Sequence, residues 1–449
     1  MMNIQSDSRK IKKGDTFVAL KCEVNDGHKY IEKAIENGAG KIVAEYGEYS
    51  VPTLIVDDTR KYINEYLDEN YSKYINEMTI IGITGTNGKT TSAYLTYQAL
   101  NMLGIKAAYI GTIGFYLDKK VMNLPNTSVD ICDTYNLIME AYDKGYKVVI
   151  LETSSHALEN NRLVTLKYDY AVFTNLTQDH LDFHKTMENY ALAKQKLFKS
   201  LKETGKAIIN TDDGYKDYFL LPENKNLTYG LTGDFRFDNY KSDLKGTCFD
   251  LIYDDKKYKI NTKLIGKYNV YNLLVCISIL IDMNIDVEKI IDVVINLKAP
   301  NGRMDTIDYK DNKIIIDYAH TPDAIEKVIN AVEKGTGKTY VIFGCTGDRD
   351  RTKRPIMGKL VSELSDYFII TNDDPHNEDE NQIVDDILKN KDFDNYEICL
   401  DRKEAIKKGI ELLKSNDLLF ILGKGHEEFM IKGNERIPLN DKEEVLKNI

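Results

Sequence analysis

Ile80-Ile81-Gly82-Ile83-Thr84-Gly85-Thr86-Asn87-Gly88-Lys89-Thr90-Thr91 is the stretch on which the reading of this chain turns. An apolar run from Met78 to Ile83 gives way to small polar residues, then Lys-Thr-Thr, then an amphipathic segment through Leu103. This is the order of a buried strand, a phosphate-cradling loop and a helix. Glycines let backbone N–H groups turn inward around phosphate oxygens, and the helix N-terminus adds the positive end of its dipole. Lys89 supplies a point charge, and the Thr90 hydroxyl suits Mg²⁺. The general pattern G-x-x-x-x-G-K-S/T would need glycine where the chain has Ile83, so the loop is a narrower variant, Gly85 to Thr91.

Outward from this loop, strand-like and helical segments alternate. Strands are expected at 78–83, 107–110, 147–152, 170–174 and 206–209, which predicts an α/β unit over 78–297 with a mostly parallel sheet covered on both faces. In such sheets ligands gather at the carboxyl ends of the strands. Glu152, closing the run Lys147-Val148-Val149-Ile150-Leu151, is therefore a candidate Mg²⁺ ligand. Three of the seven histidines, His156, His180 and His184, crowd together beside acids and suggest a phosphate and metal centre. The Tyr/Asp/Lys-rich stretch 222–262 reads as an antiparallel hairpin at the sheet edge. Asn269 and Asn272 precede an apolar helix at 273–283, where they either cap the helix or face a base.

Before the loop, residues 1–77 read as a small α/β unit with strands at 16–20, 41–44 and 53–56. Ser6-Asp7-Ser8-Arg9 and Asn25-Asp26-Gly27-His28 stand out in it, either as backbone caps or as readers of a nucleotide. After Ala299-Pro300-Asn301-Gly302-Arg303 the alternation restarts, and residues 298–449 read as a second doubly wound domain. Its strands are expected at 313–317, 339–344, 367–371 and 417–422, its helices at 322–333, 354–364, 381–389 and 402–414. The loops after those strands carry Asp317-Tyr318-Ala319-His320, Gly347-Asp348-Arg349-Asp350, Asp373-Asp374-Pro375-His376 and Gly423-Lys424-Gly425-His426-Glu427, all on one edge.

Bulk properties narrow the function. A length of 449 residues implies two or three domains, and 42% hydrophobic with 29% charged residues describes a globular chain. The net charge of −11 argues against a nucleic-acid surface or attraction to anionic lipid. Six scattered cysteines without a C-x-x-C pair suggest neither zinc nor a disulfide framework, and fit a cytoplasmic protein. No apolar run nears the roughly 18 residues that span a bilayer, so no membrane partner is expected.

Taken together, the glycine-lysine loop, Glu152-Thr153-Ser154-Ser155-His156, Thr174-Asn175-Leu176-Thr177-Gln178-Asp179-His180, Tyr190-Ala191-Leu192-Ala193-Lys194, Gly302-Arg303-Met304 and the four C-terminal loops resemble the Mur ligases, most closely the branch that adds the third residue of the peptide. The resemblance implies a uridine-binding N-terminal domain, a central ATPase domain and a C-terminal Rossmann-like domain. It also implies an ATP- and Mg²⁺-dependent ligation of a free amino acid to UDP-MurNAc-L-Ala-D-Glu through an acyl phosphate, by a monomer. On that resemblance Gly85, Thr86, Asn87, Gly88, Lys89, Thr90 and Thr91 hold ATP with Asn269, Arg303 and Asp317. Thr90, Glu152, His180 and a carbamylated Lys194 hold metal, and Lys89, His180 and Lys194 are catalytic. Ser8, His28, Asn126, Thr127, Ser154, Asn160 and Arg162 hold the UDP substrate, and Asp373, Asp374, His376, Gly423 and Glu427 the amino acid.

Two departures from the family pattern bear on specificity. A Thr-Thr-Pro-Asp/Glu stretch becomes Thr127-Ser128-Val129-Asp130, losing a stiffening proline. An Asp-Asn-Pro-Arg acceptor motif becomes Asp373-Asp374-Pro375-His376, losing the bidentate clamp for a distal carboxylate. Asp374 is expected to repel such a carboxylate and draw an ammonium, which favours lysine or ornithine, with diaminopimelate next. Two other readings remain open at this point: a paralogue acting on another carboxylate such as a folate, and a Mur-like partner subunit that does not ligate.

Overall fold

The computed structural model describes residues 3–21, 26–163, 165–222, 225–332 and 335–449. Asn25 and Cys22 therefore lie outside the described residues.

Three α/β layers follow one another along the chain. The first sheet has four parallel strands, Ile4–Gln5, Thr16–Val18, Lys41–Ala44 and Thr53–Ile55, in sequence order. A helix at Thr59–Ile75, which the sequence reading did not anticipate, then leads to the central sheet. That helix and Val18, Leu20 and Val43 share one apolar core with the central sheet's lower face. The first unit is thus packed onto the second rather than tethered to it.

The central sheet has eleven strands. Its middle is parallel: Tyr168–Phe173, Thr79–Thr84, Val148–Glu152 and Ala107–Gly111 lie side by side in that order. Period-two alternation divides their side chains between two cores. Ile80, Val149, Leu151, Ala171 and Phe173 face one, and Ile81, Ile83, Val148, Ile150 and Val172 the other. Burial on both faces explains why these strands read as unbroken apolar runs. The helices Lys89–Met102 and Lys267–Asp282 cover the second face.

The expected edge hairpin is larger than a hairpin. Asn226–Gly230 continues the parallel sheet, and Phe235–Asp243, Gly246–Tyr253 and Lys256–Thr262 extend it as an antiparallel meander. The opposite edge gains two short strands, Gly114–Tyr116 and Lys120–Met122.

The C-terminal sheet has six strands, its parallel part ordered Asn312–Asp317, Leu418–Leu422, Thr339–Phe343, Tyr367–Ile370, Tyr396–Ile398. The same alternation feeds two cores, with Ile315, Val341 and Phe420 on one side and Ile314, Ile342 and Ile421 on the other. The helix expected at 322–333 is Pro322–Asn330, capped by the Thr321 side chain. No helix among the described residues is long and apolar enough to cross a membrane.

Candidate active site

Three neighbouring parallel strands end on one edge, and the loops beyond their carboxyl ends build the site. After Thr79–Thr84 comes the glycine loop. Gly88 takes φ +86° at the helix N-cap, and a Cβ there would stand 2.6 Å from Asn272 Oδ1. Both the left-handed backbone and the lack of space demand glycine. Lys89 Nζ folds back onto the loop, donating to the carbonyls of Gly85 at 3.0 Å and Thr86 at 2.9 Å. Burial lowers its affinity for a proton, and Glu152 partly offsets this. The loop is stitched to the neighbouring strand end: Asn87 N donates to Asn175 Oδ1 at 2.9 Å, and Thr174 Oγ1 donates to Asn87 O at 2.6 Å.

After Val148–Glu152, the Glu152 carboxylate is buried and surrounded by donors. Thr90 Oγ1 lies 2.9 Å from Oε2 and Thr112 Oγ1 3.0 Å from it, while Oε1 accepts from Thr112 N at 2.9 Å and from the Tyr109 hydroxyl. An alcohol and a carboxylate held together in a buried pocket are the hard oxygen donors Mg²⁺ takes. The residues present therefore fit that ion.

Lys194, on the helix Met187–Lys199, lies beneath the loop. Its Nζ donates to Gly85 O at 2.8 Å and stands 4.3 Å from the Tyr190 ring centroid. Burial, followed by the charge of Lys89, holds the amine far below its ordinary pKa. No carboxylate among the described residues forms an ion pair with it.

After Tyr168–Phe173 come Asp179 and His180. His180 has φ +54°, and its Nε2 is 3.4 Å from Asp179 Oδ2. Burial pushes the imidazole down to about 3, leaving it neutral. The three clustered histidines meet as rings rather than as converging nitrogens: His156 packs edge-on to His180 at 4.7 Å and to His184 at 5.5 Å, while His184 Nε2 bonds Ser155 Oγ at 2.9 Å. The cluster expected to bind metal jointly is mainly a packed wall, with His180 at its rim.

Facing the loop from the C-terminal sheet are Arg303 and Asp317. Together with Asn87, Gly88, Thr91 and Asn269 they line a cavity of about 690 Å³. Arg303 stacks its guanidinium 4.5 Å from the Tyr318 ring centroid and leaves Nε without a partner. Asp317 accepts from Met304 N at 2.7 Å and Ala319 N at 2.8 Å. Asn269 does not cap: it lies inside the helix Lys267–Asp282, whose N-terminus has no side-chain cap, its Nδ2 donates to Ile265 O at 2.8 Å, its Oδ1 accepts from Asn272 Nδ2 at 2.9 Å, and the residue lines the cavity.

The loop-borne residues beside Glu152 form a clip. Ser128 Oγ donates to Glu152 O at 2.8 Å and accepts from Ser154 N at 2.9 Å, and Thr127 Oγ1 bonds Thr112 Oγ1 at 3.0 Å. Ser154 caps the helix Ser155–Glu159, and Asn160 ends it. Asn126 is exposed, and Arg162 Nε is buried without a partner. Ser8 and His28 sit in the short helices Ser8–Lys10 and Gly27–Tyr30 of the first unit, outside the 690 Å³ cavity. His28 needs a correction. Its Nδ1 bonds Asp26 Oδ1 at 2.6 Å, its Nε2 accepts from Glu45 N at 2.9 Å, and its ring stacks on Tyr46 at 4.2 Å. Both nitrogens are spent inside the domain, so the ring has no polar atom left to offer a nucleotide.

The second correction concerns Asp374. Its charge is partly offset inside the domain, since Oδ1 accepts from Lys424 Nζ at 2.7 Å and Ile431 N at 2.8 Å. The fully buried Lys424 also reaches Glu427 at 2.5 Å and Asp373 at 4.0 Å. Among the described residues this is the one trio of acids whose oxygens converge within 4.8 Å, and the ammonium supplies the countercharge a metal would. Burial, only partly countered by Lys424, raises Glu427 to about 7. His376 has φ +50° and docks by its backbone N on Ile431 O. Gly423, at φ +111°, leaves room for Asp373 Oδ2, 2.5 Å from where a Cβ would be.

Comparison with known proteins now decides the family. Three family models match in order: "Mur ligase family, catalytic domain" over residues 1–78, "Mur ligase middle domain" over 83–280 and "Mur ligase, glutamate ligase domain" over 302–425. The chain is 40% identical, over 98% of its length and 92% of the relative's, to the UDP-N-acetylmuramoyl-L-alanyl-D-glutamate--2,6-diaminopimelate ligase of Fusobacterium nucleatum. It belongs to the Mur ligase family.

As a Mur ligase it is an ATP-dependent peptide ligase of peptidoglycan synthesis. A solved diaminopimelate ligase of the same designation is 32% identical, with a TM-score of 0.68 over 99% of this chain and 94% of that one. The MurF ligase of Thermotoga maritima in complex with ADP shares the fold at 19% identity, with a TM-score of 0.70 over 100% and 96% of the two chains.

Sequence reasoning missed several residues of this Mur ligase site. Tyr109 sat inside an apolar strand and gave no signal. Asp179, Lys353 and Lys424 lay within quoted or neighbouring motifs, but their pairings cross long sequence separations. Arg349, exposed on the loop whose Gly347 N donates to Asp374 O at 2.7 Å, puts its charge within reach of His156.

Proposed function

We propose that this Mur ligase joins the amine of a diamino acid to the D-glutamyl carboxylate of UDP-MurNAc-L-Ala-D-Glu, working as a cytoplasmic monomer with ATP and Mg²⁺. The observation that carries the reading is the convergence of the glycine loop, the Thr90–Glu152 pair and the buried Lys194 on one side of a cavity whose other side holds Arg303 and Asp317.

The donor carboxylate attacks the γ-phosphorus of ATP, giving an acyl phosphate and ADP. The amine then attacks the acyl carbon, the amide C–N bond forms, inorganic phosphate leaves and the nitrogen loses a proton. Two anions must meet while charge moves on the phosphoryl group, and cationic and N–H groups aimed at it stabilise that charge. Lys89 leaves the loop carbonyls to hold phosphate, the turned N–H groups of Gly85 to Thr91 cradle it, and Arg303 reaches it from across the cleft. Bound Mg²⁺ screens the phosphate oxygens; Thr90, Glu152 and His180 would hold it. Lys194, whose amine burial and the charge of Lys89 hold far below its ordinary pKa, is the amine that adds CO₂. A new N–C bond forms, one proton is released, and the resulting carbamate is an oxygen ligand where a cation stood. Thr127, Ser154, Asn160 and Arg162 are placed to hold the donor.

For the acceptor, the names of the relatives support 2,6-diaminopimelate. One oxygen of Asp374 is tied to Lys424, so its repulsion of a second carboxylate is smaller than the sequence suggested, and Arg349 offers an exposed cation on the loop whose Gly347 N donates to Asp374 O. Lysine or ornithine is the second reading, favoured by three carboxylates around one ammonium.

ADP release with the UDP-dipeptide, Mg²⁺ and a panel of diaminopimelate isomers, lysine, ornithine, alanine and threonine tests both. Release dependent on the donor and on one amino acid supports the ligase and names its acceptor. Silence across the panel, or release without an acceptor, removes the reading.

A further inference from the structure

We infer that Tyr109 is a positioning residue that confines Glu152 to a single-oxygen metal ligand and thereby selects Mg²⁺ over larger cations. The inference rests on the reading of Thr90 and Glu152 as the metal site.

Four donors surround the Glu152 carboxylate, and they divide unequally in kind. On Oε2 both are hydroxyls, Thr90 Oγ1 at 2.9 Å and Thr112 Oγ1 at 3.0 Å. Each hydroxyl can rotate its hydrogen away and turn a lone pair toward an incoming cation. Thr112 Oγ1 also has an alternative acceptor in Thr127 Oγ1 at 3.0 Å. On Oε1 neither donor atom can move away. Thr112 N–H, 2.9 Å away, is fixed by the backbone, and the Tyr109 oxygen is held in place by its ring, so it occupies that side of Oε1 whichever way its hydrogen turns.

That ring is fully buried and locked by its neighbours. Tyr94 and Tyr116 pack edge-on against it at 6.0 and 5.7 Å, and Tyr97 lies at 6.4 Å. Burial and the nearby Glu152 charge keep the phenol protonated, far above its ordinary pKa. The backbone has been cleared for the arrangement. A Cβ on Gly111 would lie 2.5 Å from the Tyr109 hydroxyl and 2.3 Å from Glu152 Oε1, although Gly111 has no positive φ that would itself demand glycine.

An oxygen carrying two immovable donors has no lone pair free for a cation, so Glu152 can offer only Oε2. Mg²⁺ demands compact octahedral coordination and is bound through single oxygens, whereas Ca²⁺ accepts both oxygens of one carboxylate at longer distances. Locking Oε1 therefore costs Ca²⁺ a ligand atom and Mg²⁺ none. Neighbouring donors of this kind change metal affinity by about 10- to 100-fold when removed.

The test is competition of Mg²⁺ and Ca²⁺ against Mn²⁺, read by the Mn²⁺ spin-resonance signal, with the full chain and ADP. In Tyr109→Phe, Oε1 is released and the carboxylate is free to turn. The expected result is a roughly tenfold weaker Mg²⁺ constant with Ca²⁺ unchanged or tighter, so the Ca²⁺/Mg²⁺ preference moves toward Ca²⁺. Tyr94→Phe, which removes a neighbouring phenol without touching Glu152, should leave both constants alone. Thr112→Ala, which keeps the N–H on Oε1, should weaken both ions equally. Should Tyr109→Phe not fold, Tyr109→Met, which also removes the hydroxyl while filling much of the ring's space, should move the preference the same way.

An unchanged preference in Tyr109→Phe, equal losses for both ions, or the same shift in Tyr94→Phe would overturn the inference. If instead the wild-type chain binds no Mn²⁺, or binds it equally in Glu152→Gln, it is the metal-site reading that fails.

Discussion

Lys353, buried on the first turn of a C-terminal-domain helix, reaches across to Asp179 of the central domain, Nζ to Oδ1 at 3.4 Å. Beside it Gln178 Nε2 donates to Thr352 Oγ1 at 2.9 Å and to Asp350 Oδ2 at 3.2 Å. Burial works to raise Asp179, but the Lys353 ammonium, with the neighbouring His180 and His320 and the His180 N–H, together outweigh it and the carboxyl stays well below the ordinary range. Because Asp179 also receives His180 N at 3.0 Å, the pair ties the position of the C-terminal domain to His180.

Breaking that tie should affect turnover more than nucleotide binding. In Lys353→Met, which breaks a buried pair at a cost of roughly 3–5 kcal/mol, part of that cost falls on closure and kcat is expected to fall by at least about tenfold, while ADP affinity changes less. Isothermal titration with ADP beside steady-state kinetics checks this. Equal losses in both would show that the pair serves nucleotide binding rather than closure.

Acid should destabilise the protein earlier than carboxylate titration predicts. Burial lowers His180 to about 3, His184 to about 4, His320 to about 4 and His426 to about 3. A depressed folded pKa means the unfolded chain takes up protons first, so stability is full above about pH 6.5 and is lost as pH falls toward 4. Each such proton contributes a slope of up to about 1.4 kcal/mol per pH unit. Calorimetry from pH 7.5 to 5 should show a falling Tm with net proton uptake on unfolding. A flat Tm above pH 5 would contradict it.

The Lys424 ammonium opposes the burial that raises Glu427 to about 7. Lys424→Met should therefore push Glu427 higher still and move the pH dependence of the acceptor KM toward alkaline pH, with the donor KM unchanged. The linked stability also has a sign: a carboxyl raised in the folded state favours folding below its unfolded pKa and loses that advantage as pH rises toward 7. Acceptor KM measured from pH 6 to 9 decides the matter, and an unshifted profile would separate Glu427 from acceptor binding.

Ser128 stands where the family pattern has threonine and joins two strand-end segments by accepting from Ser154 N and donating to Glu152 O. Ser128→Ala leaves the buried Ser154 N–H without its partner, at a cost of about 1–3 kcal/mol. The donor KM should rise about tenfold or more, with ATP KM little altered. A donor KM within twofold of wild type would show that the clip is only structural.

How far the sequence could be read depended on the range of the interactions involved. The glycine loop, the strands flanking it and Glu152 at a strand end were legible because local backbone demands and period-two burial write themselves into neighbouring residues. The edge meander was seen only as a hairpin, because three strands that pair antiparallel leave the same alternation as two. His28 and Asp374 were misread for one reason: their partners, Glu45 and Lys424, lie 17 and 50 residues away, and composition does not reveal which charges are already spent. Tyr109 was silent because an aromatic in a buried strand looks like core until the carboxylate beside it is seen.

The cavity of about 690 Å³ is lined on one side by Asn87, Gly88 and Thr91 and on the other by Arg303, Asp317 and Ala331. During synthesis the phosphate loop is therefore complete long before the wall that closes over it. Domains emerging from the ribosome fold in order, so a nascent chain carries the loop while having no means of enclosing ATP. The cavity thus takes its closed shape only on a chain translated past Ala331.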